Sequence, residues 1–519
     1  MKIKHFLLGV LLVLIGHLNV YSQSSTITDV IKFNLQSVGP IVTDAEVSGY
    51  YLFYEKDKVN RKIRAYELII MDQNLNKIGS HMIEASKYTY VLDAGFNNDH
   101  LMLKLYDIKE KSIIFKEFDA NAKNINSYER EVSSLEKLVL NQQVQTSSDN
   151  DMGFAPSLYP IKNVGFVDYR AEKLNKHGFV IDFYSKSGKK WRVDSNDSDL
   201  LEMATFIYGD ENIILSNVIA RKSLFSKDTE NYLLAIDTKS GKVLYKKQLE
   251  HKLFDLLVLN GLESDAEGNI HLFGSFYEKG DKEFKSSSLG LFAMKLNQKG
   301  EIISENLMSW ANDLGKFLDV NHQGKIKDVG YLFIHDIVRN ADGNVYVIGE
   351  QFRKAADGFG IAASVLSGRD EGVVKMVTED LNIIELNSEY KIQGINIIDK
   401  EKTNISLPSG AVYYGAHMLS YIVKSKGGFD YEFTQFNSDK SIFTIGYTDY
   451  KKIKGSPDKI ILGAVNYVDS ERSHDEIDLN SQKNKSPLRV LPGKTGNYVV
   501  LEYNKSERSI QLELKKIAL

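Results

Sequence analysis

Six places in this chain put an aromatic or apolar residue directly before a charge, at what read as strand ends. They are Tyr54-Glu55-Lys56, Tyr106-Asp107, Tyr169-Arg170, Ala220-Arg221-Lys222, Tyr277-Glu278-Lys279 and Phe352-Arg353-Lys354. Tyr offers an apolar face and a polar tip, so such a set suits recognition of a sugar or a peptide. The expected ligand-binding residues are therefore Tyr54, Tyr106, Tyr169, Arg170, Arg221, Tyr277, Glu278, Phe352 and Arg353. Taken one at a time, each is better read as an aromatic packing between strands or a charge solvating a strand end. A second chemistry is hydrolysis of a glycosidic bond by paired carboxylates, for which Asp168, Glu278, Glu350 and Asp370 are the acids available near the same ends.

Other constellations are weaker. Asp194-Ser195-Asn196-Asp197-Ser198-Asp199 has the acid spacing of a calcium loop but not its glycine or later glutamate, and reads as a solvated turn. Ser473-His474-Asp475 has the residue types of a catalytic triad, but a triad is assembled in space rather than side by side. His100, His271, His322, His335 and His417 are scattered where a metal would need clustered ligands. No metal and no cofactor is expected.

The elements that position these residues come from a repeat. Asp265-Ala266-Glu267-Gly268-Asn269-Ile270-His271-Leu272-Phe273-Gly274 is echoed by Asn340-Ala341-Asp342-Gly343-Asn344-Val345-Tyr346-Val347-Ile348-Gly349. Each is a turn feeding a short apolar strand that ends at glycine, and strand-plus-turn repetition predicts a β-propeller. Second strands of the repeat are expected at Tyr50–Glu55, His100–Tyr106, Asn163–Arg170, Asn212–Ala220, Asn269–Tyr277, Asn344–Phe352 and Asn497–Tyr503, with a further candidate in Ala416–Lys424. Third and fourth strands form hairpins such as Leu233–Tyr245 and Ile69–Lys77, where Gly or Asn takes the positive-φ position.

The expectation is an all-β single propeller of four-stranded blades. It has about seven blades, with six and eight as alternatives because the stretch from Lys400 to Pro487 is hard to phase. The chain ends on a third strand, Ser509–Lys516, so an N-terminal strand at Thr28–Leu35 is expected to pair with it and close the ring. Insertions fall at about 132–160, 307–330, 353–371 and 469–487. A short amphipathic helix is expected in Leu307–Gly330, a polar mobile stretch in Gln142–Leu158, and a solvated loop in Ser470–Ser486. Nearly all this irregular mass belongs to the connections between second and third strands and between blades, which share one face of a propeller.

Residues 1–22 read as an export signal: a basic Met1–Lys4, an apolar Phe6–Gly16 too short to span a membrane, and cleavage before Gln23. The remainder, 23–519, is the propeller. There is no cysteine, which excludes a disulfide framework and a bacterial lipoprotein anchor. A net charge of −4 argues against nucleic acid and anionic membranes. The 28 Tyr and 25 Phe suit strands.

The [Asp/Asn]-x-x-Gly-Asn-[Ile/Val]-[His/Tyr]-[Leu/Val]-x-Gly phrase, present at Asp265–Gly274 and Asn340–Gly349, resembles the repeat of exported bacterial β-propeller proteins of unknown function built on Asp-Gly-Asn-Val-Tyr-Val turns. That resemblance implies a propeller and export but no activity. The expected function is an interaction module, exported to the periplasm or cell surface, monomeric, without a membrane span after signal removal. It would recognise a protein, peptide or glycan through the looped face. The alternatives are a glycan-active hydrolase with carboxylates in the central opening, and a structural subunit of an envelope assembly.

Overall fold

The computed structural model describes residues 23–519 except 147–155, 174–176, 196–197, 224–228, 263, 266, 281–286, 323, 328–329, 357–373, 408–415, 426, 453, 456–457 and 483–487. The expected export signal at 1–22, Asp370, and most of the loop Arg353–Glu371 lie outside the described residues.

Eight sheets follow one another, seven of four strands and one of five, each antiparallel and, apart from the N-terminal strand that joins the last sheet, in chain order. We number them blades 1 to 8. Blade 1 runs Val38–Ser86, blade 2 Thr89–Glu131, blade 3 Leu158–Asp194, blade 4 Leu201–Gln248, blade 5 Phe254–Ser309, blade 6 Tyr331–Ser406, blade 7 Tyr431–Gln482 and blade 8 Leu488–Lys516. Within each, strands are lettered A to D outward. Seven of the expected second strands are B strands, in blades 1 to 6 and blade 8.

The eighth blade was hidden in the 400–487 stretch. Its B strand is Ile442–Lys451 in blade 7, and the turn before it uses Asn437 and a positive φ at Lys440 where blades 5, 6 and 8 use Gly268, Gly343 and Gly496. The candidate at Ala416–Lys424 is instead an α-helix, Ala416–Ser425. Leu419 and Val423, four apart and fully buried, give it one apolar stripe. Within the stretch expected as a loop, Glu471–Gln482 is the outermost strand of blade 7, and its charges suit an edge strand. Insertion 307–330 begins inside strand Ile302–Ser309 and, among its described residues, holds one 3-10 turn, Leu314–Lys316, where a helix is expected. Insertion 132–160 holds a helix, Ser134–Thr146, covering part of the stretch expected to be mobile.

The N-terminal strand that pairs with Ser509–Lys516 is Gln23–Ile27, with Gln23 opposite Leu514. Thr28–Leu35, expected to do this, forms no strand: it has one bridge, from Lys32 to Glu55, and runs into a 3-10 turn at Leu35–Ser37. Blades 8 and 1 share one core cluster that includes Val38, Leu52, Leu491, Val499 and Leu512.

The repeat phrase works as its residue types dictate. Asp265 Oδ1 accepts the Asn269 N–H at 2.8 Å and Asn340 Oδ1 accepts the Asn344 N–H at 2.9 Å, closing turns in which Gly268 and Gly343 have φ of +77° and +83°. The Asp72 turn differs from expectation. Neither of its asparagines takes the positive φ; Leu75 does, at 63°, with its side chain buried in the core. At Gly274 a Cβ would meet the Leu257 carbonyl oxygen at 2.2 Å, so blade 5 closes only over glycine there.

Candidate functional site

Blade 6 departs most from the common plan. Its B and C strands, Val345–Ala356 and Val374–Leu386, have 12 and 13 residues, and a fifth strand, Thr403–Ser406, pairs with the start of the C strand. The helix Ala416–Ser425 packs on this extension: Leu419 and Val423 join Phe352, Met376, Leu407 and Phe429 in one buried cluster. The antiparallel order places these additions on the face that carries the B–C loops and the crossovers between blades.

The innermost strands carry β-bulges in five blades. The register slips between Val91 and Asp93, Phe206 and Tyr208, Val258 and Asn260, Ile334 and Asp336, and Tyr431 and Phe433. The extra residue is apolar in blades 2, 4 and 5 (Leu92, Ile207 and Leu259). In blades 6 and 7 it is His335 and Glu432. A bulge re-aims a side chain, and these two adjacent blades re-aim ionisable ones.

Around them lies a buried charge network. Glu350, the residue after Gly349 in the repeat phrase, accepts the backbone N–H groups of Asp430 (3.0 Å) and Tyr431 (2.9 Å) where blade 7 begins. Lys400 donates to Glu350 at 2.5 Å and to Asp430 at 2.7 Å, and the Lys400 and Glu350 side chains have no exposed surface. His335 Nε2 lies 2.9 Å from Glu350 Oε2 but off the line of a ring N–H, so the contact is an ion-pair distance without an aligned hydrogen bond. Lys424 Nζ, on the helix, donates to His335 Nδ1 at 3.3 Å. The Tyr431 hydroxyl donates to Asp336 Oδ2 at 3.1 Å, and Thr448 donates to Glu432 at 3.0 Å.

Carboxylates outnumber cations here, and their protonation reflects it. Burial raises Asp336. Crowding around its carboxyl by the packed blades pushes Glu432 up to about 7, although the residue is exposed on the innermost strand. Burial also raises Asp430 against the pull of Lys400. Burial opposes the charge on Glu350, yet His335 and Lys400 hold it low. Burial lowers both His335 and Lys424.

Beside the network is a cavity of about 50 Å³ between blades 5 and 6. Tyr277, Trp310, Tyr331, Phe333, Phe352 and Tyr421 give it an aromatic wall, and Ser275, Ser287, Ser288 and Ser420 give it hydroxyls. Trp310 is locked by its indole N–H to Ser288 Oγ at 3.0 Å. Gly324, at φ +72°, closes over it so tightly that a Cβ would meet Trp310 Cδ1 at 2.6 Å.

The sequence-derived residues are mostly inside. Tyr54, Tyr106, Tyr169, Tyr277 and Phe352 are buried in the seams between blades, not arrayed as open platforms. Tyr54 donates to Glu67 at 2.6 Å, Tyr106 to Asn141 at 3.2 Å, and Tyr169 pairs with Ser216 at 2.7 Å. Arg170 is buried against Asp182 and Glu172, Arg221 is half-buried, Glu278 is exposed, and Arg353 donates to Glu379 at 2.9 Å. The structure brings only Tyr277 and Phe352 of this set together, in the cavity wall. Of the four candidate acids, Asp168 and Glu350 are fully buried in ion pairs with Lys104 and Lys400, which removes them from any open central site. Sequence reasoning missed Lys400, Asp430, Tyr421 and Lys424. The run Ala416–Ser425 carried a signal for the last two, in the i, i+4 spacing of Leu419 and Val423.

Among the described residues no group of three or more His, Asp or Glu is placed to hold a metal, and no helix is long and apolar enough to cross a membrane. No curated protein matches the chain. Among solved structures it is similar to oligopeptidase B from Leishmania major, at 10% identity and TM-score 0.41, covering 91% of this chain. It spans about half of that protein, 54%. It is also similar to the polysaccharide lyase Uly1 (10% identity, TM-score 0.40, 94% of this chain and 100% of that one). The WD40 domain of SCAP from fission yeast is a third likeness (8% identity, TM-score 0.36, 95% and 98% covered). Residues 1–518 match the model of a family of unknown function, DUF6770, and the chain belongs to that family.

Proposed function

We propose that this propeller is an exported interaction module that recognises a protein, peptide or glycan through the loop face over blades 5 to 7. The observation that carries the reading is the concentration of non-blade structure at one place. The lengthened hairpin of blade 6, its fifth strand and the helix Ala416–Ser425 are built over both a cavity and a buried charge network. Loops and additions on a rigid ring are where binding surfaces are made, and perturbed ionisable groups gather at functional sites. Tyr421, 46% exposed, and Lys424, one turn further on, present an aromatic and a cation beside the innermost strand of blade 6. The basic, apolar leader at 1–22 supports export.

The test is capture from envelope extract and from immobilised glycans by the mature protein, with Tyr421→Ala and Lys424→Glu alongside. Binding by the intact protein that both variants lose supports the reading. Binding that neither variant changes, or no binding to either material, contradicts it.

A further inference from the structure

The cavity between blades 5 and 6 has a definite chemistry. Its described wall is aromatic rings, the aliphatic side chains of Leu259, Leu332 and Ile334, and serine hydroxyls, with no charged side chain among them. A buried charge without a partner is costly, so a carboxylate or ammonium group is a poor occupant. Ser275 is 5% exposed, and among the described residues its hydroxyl makes no hydrogen bond within the protein although it lines the cavity. A purely aliphatic occupant would cut that hydroxyl off from water and leave it unpaired. The occupant should therefore be neutral, apolar on one side and able to hydrogen-bond on the other. Size narrows it further. At about 10–15 Å³ per water-sized occupant, 50 Å³ takes about three to five heavy atoms. A sugar ring does not fit. An acetamido group, with one nitrogen, one oxygen and two carbons, does.

We propose that this cavity receives the acetamido group of an N-acetylated sugar, whose ring stays outside against Tyr421. The inference rests on the binding-module reading and names its ligand class. The methyl group meets the rings of Trp310, Phe333 and Phe352. The amide reaches the Ser275 hydroxyl, and the sugar ring lays its apolar face on the exposed Tyr421 ring.

The chain supplies its own reporter. It has two tryptophans, Trp191 and Trp310, and only Trp310 lines the cavity. In a Trp191→Phe background, Trp310 emission is titrated with the β-1,4-linked tetramer of N-acetylglucosamine. Cellotetraose serves as the matched probe with hydroxyls in place of acetamido groups. The expected result is a saturable emission shift with the first sugar and binding at least about tenfold weaker with the second. Ser275→Ala should weaken the first about tenfold, the scale of one hydrogen bond. Equal affinity for the two sugars, indifference to Ser275→Ala, or no response to either sugar overturns the proposal. The broader reading is judged separately. If neither sugar responds but envelope protein is still captured and lost in Tyr421→Ala, the acetamido assignment falls and the binding face stands. If capture is unchanged by Tyr421→Ala, the binding face falls as well.

Discussion

Two seams of this ring use the same device for different ends. At the seam between blades 2 and 3, Asp93 accepts the backbone N–H groups of Ser157 (2.7 Å) and Leu158 (2.9 Å) where blade 3 begins. At the seam between blades 6 and 7, Glu350 does the same for Asp430 and Tyr431. Each seam then adds a buried lysine, Lys104 or Lys400. Their surroundings differ. Asp168 is shared by Lys104 and Arg130, and Arg130 also makes a two-pronged contact with Glu136, both prongs at 2.8 Å. Apart from Asp93, whose carboxyl burial raises, that seam is a closed set of ion pairs. The other has one lysine, Lys400, serving two carboxylates, with His335 beside Glu350; Asp336, Glu432, His335 and Lys424 are displaced from their ordinary protonation and a cavity lies alongside. A balanced seam clamps two blades; an unbalanced one stores electrostatic cost at a place where a ligand can relieve it.

Removing each lysine should separate the two most. Lys400→Met leaves Glu350 and Asp430 buried without a cation and should lower the unfolding free energy by about 3–5 kcal/mol. Lys104→Met should cost less, because Asp168 keeps Arg130. Denaturant unfolding of both variants checks the order, and an equal loss would erase the distinction drawn here.

The pH dependence should have opposite signs. Glu432 sits above its unfolded value of 4.5, so between about pH 4.5 and 7 the folded protein keeps a proton that the unfolded chain has released. Its contribution to stability therefore declines as pH rises through that window. Glu432→Gln should melt higher than the parent above pH 7, with the two converging toward pH 4.5. Glu136 is the reverse case: burial disfavours its charge, but Arg130 outweighs this and lowers it. Its stabilisation is present above pH 4.5 and is lost as pH falls. Glu136→Gln should melt lower than the parent at neutral pH, with the deficit shrinking in acid. Melting curves across pH 4 to 8 decide both.

The smallest effect on stability should come from Tyr421→Ala. The ring is half exposed and touches Phe333 edge-on, so the loss should stay within about 1 kcal/mol. A larger loss would make Tyr421 part of the packing rather than of a binding surface.

What the sequence made legible was the repeating part. The glycine-marked turns at Asp265–Gly274 and Asn340–Gly349 announce strands because φ near +80° admits little else. The seventh blade escaped because its turn uses Asn437 and Lys440, and its outermost strand is charged enough to pass for a loop. Of the aromatic residues before charges, Tyr106 and Tyr277 stand at strand ends while Tyr169 and Phe352 lie four residues inside theirs, and all four are buried at blade seams. Tyr54 and Tyr106 became packing, and only Tyr277 and Phe352 came to line a cavity. The network around Lys400 was not legible at all. Glu350, Lys400 and Asp430 are 30 to 80 residues apart and meet only because blade 7 docks on blade 6.

The most direct test sets the two loop-face helices against each other. Binding to envelope extract and to immobilised glycans is measured for the parent, for Tyr421→Ala over blade 6, and for Leu138→Ser, whose side chain is exposed on the helix Ser134–Thr146 beside the blade 2–3 seam. Loss of binding in Tyr421→Ala with retention in Leu138→Ser is the predicted result. Retention in Tyr421→Ala, or equal loss in both, would contradict a binding face over blades 5 to 7.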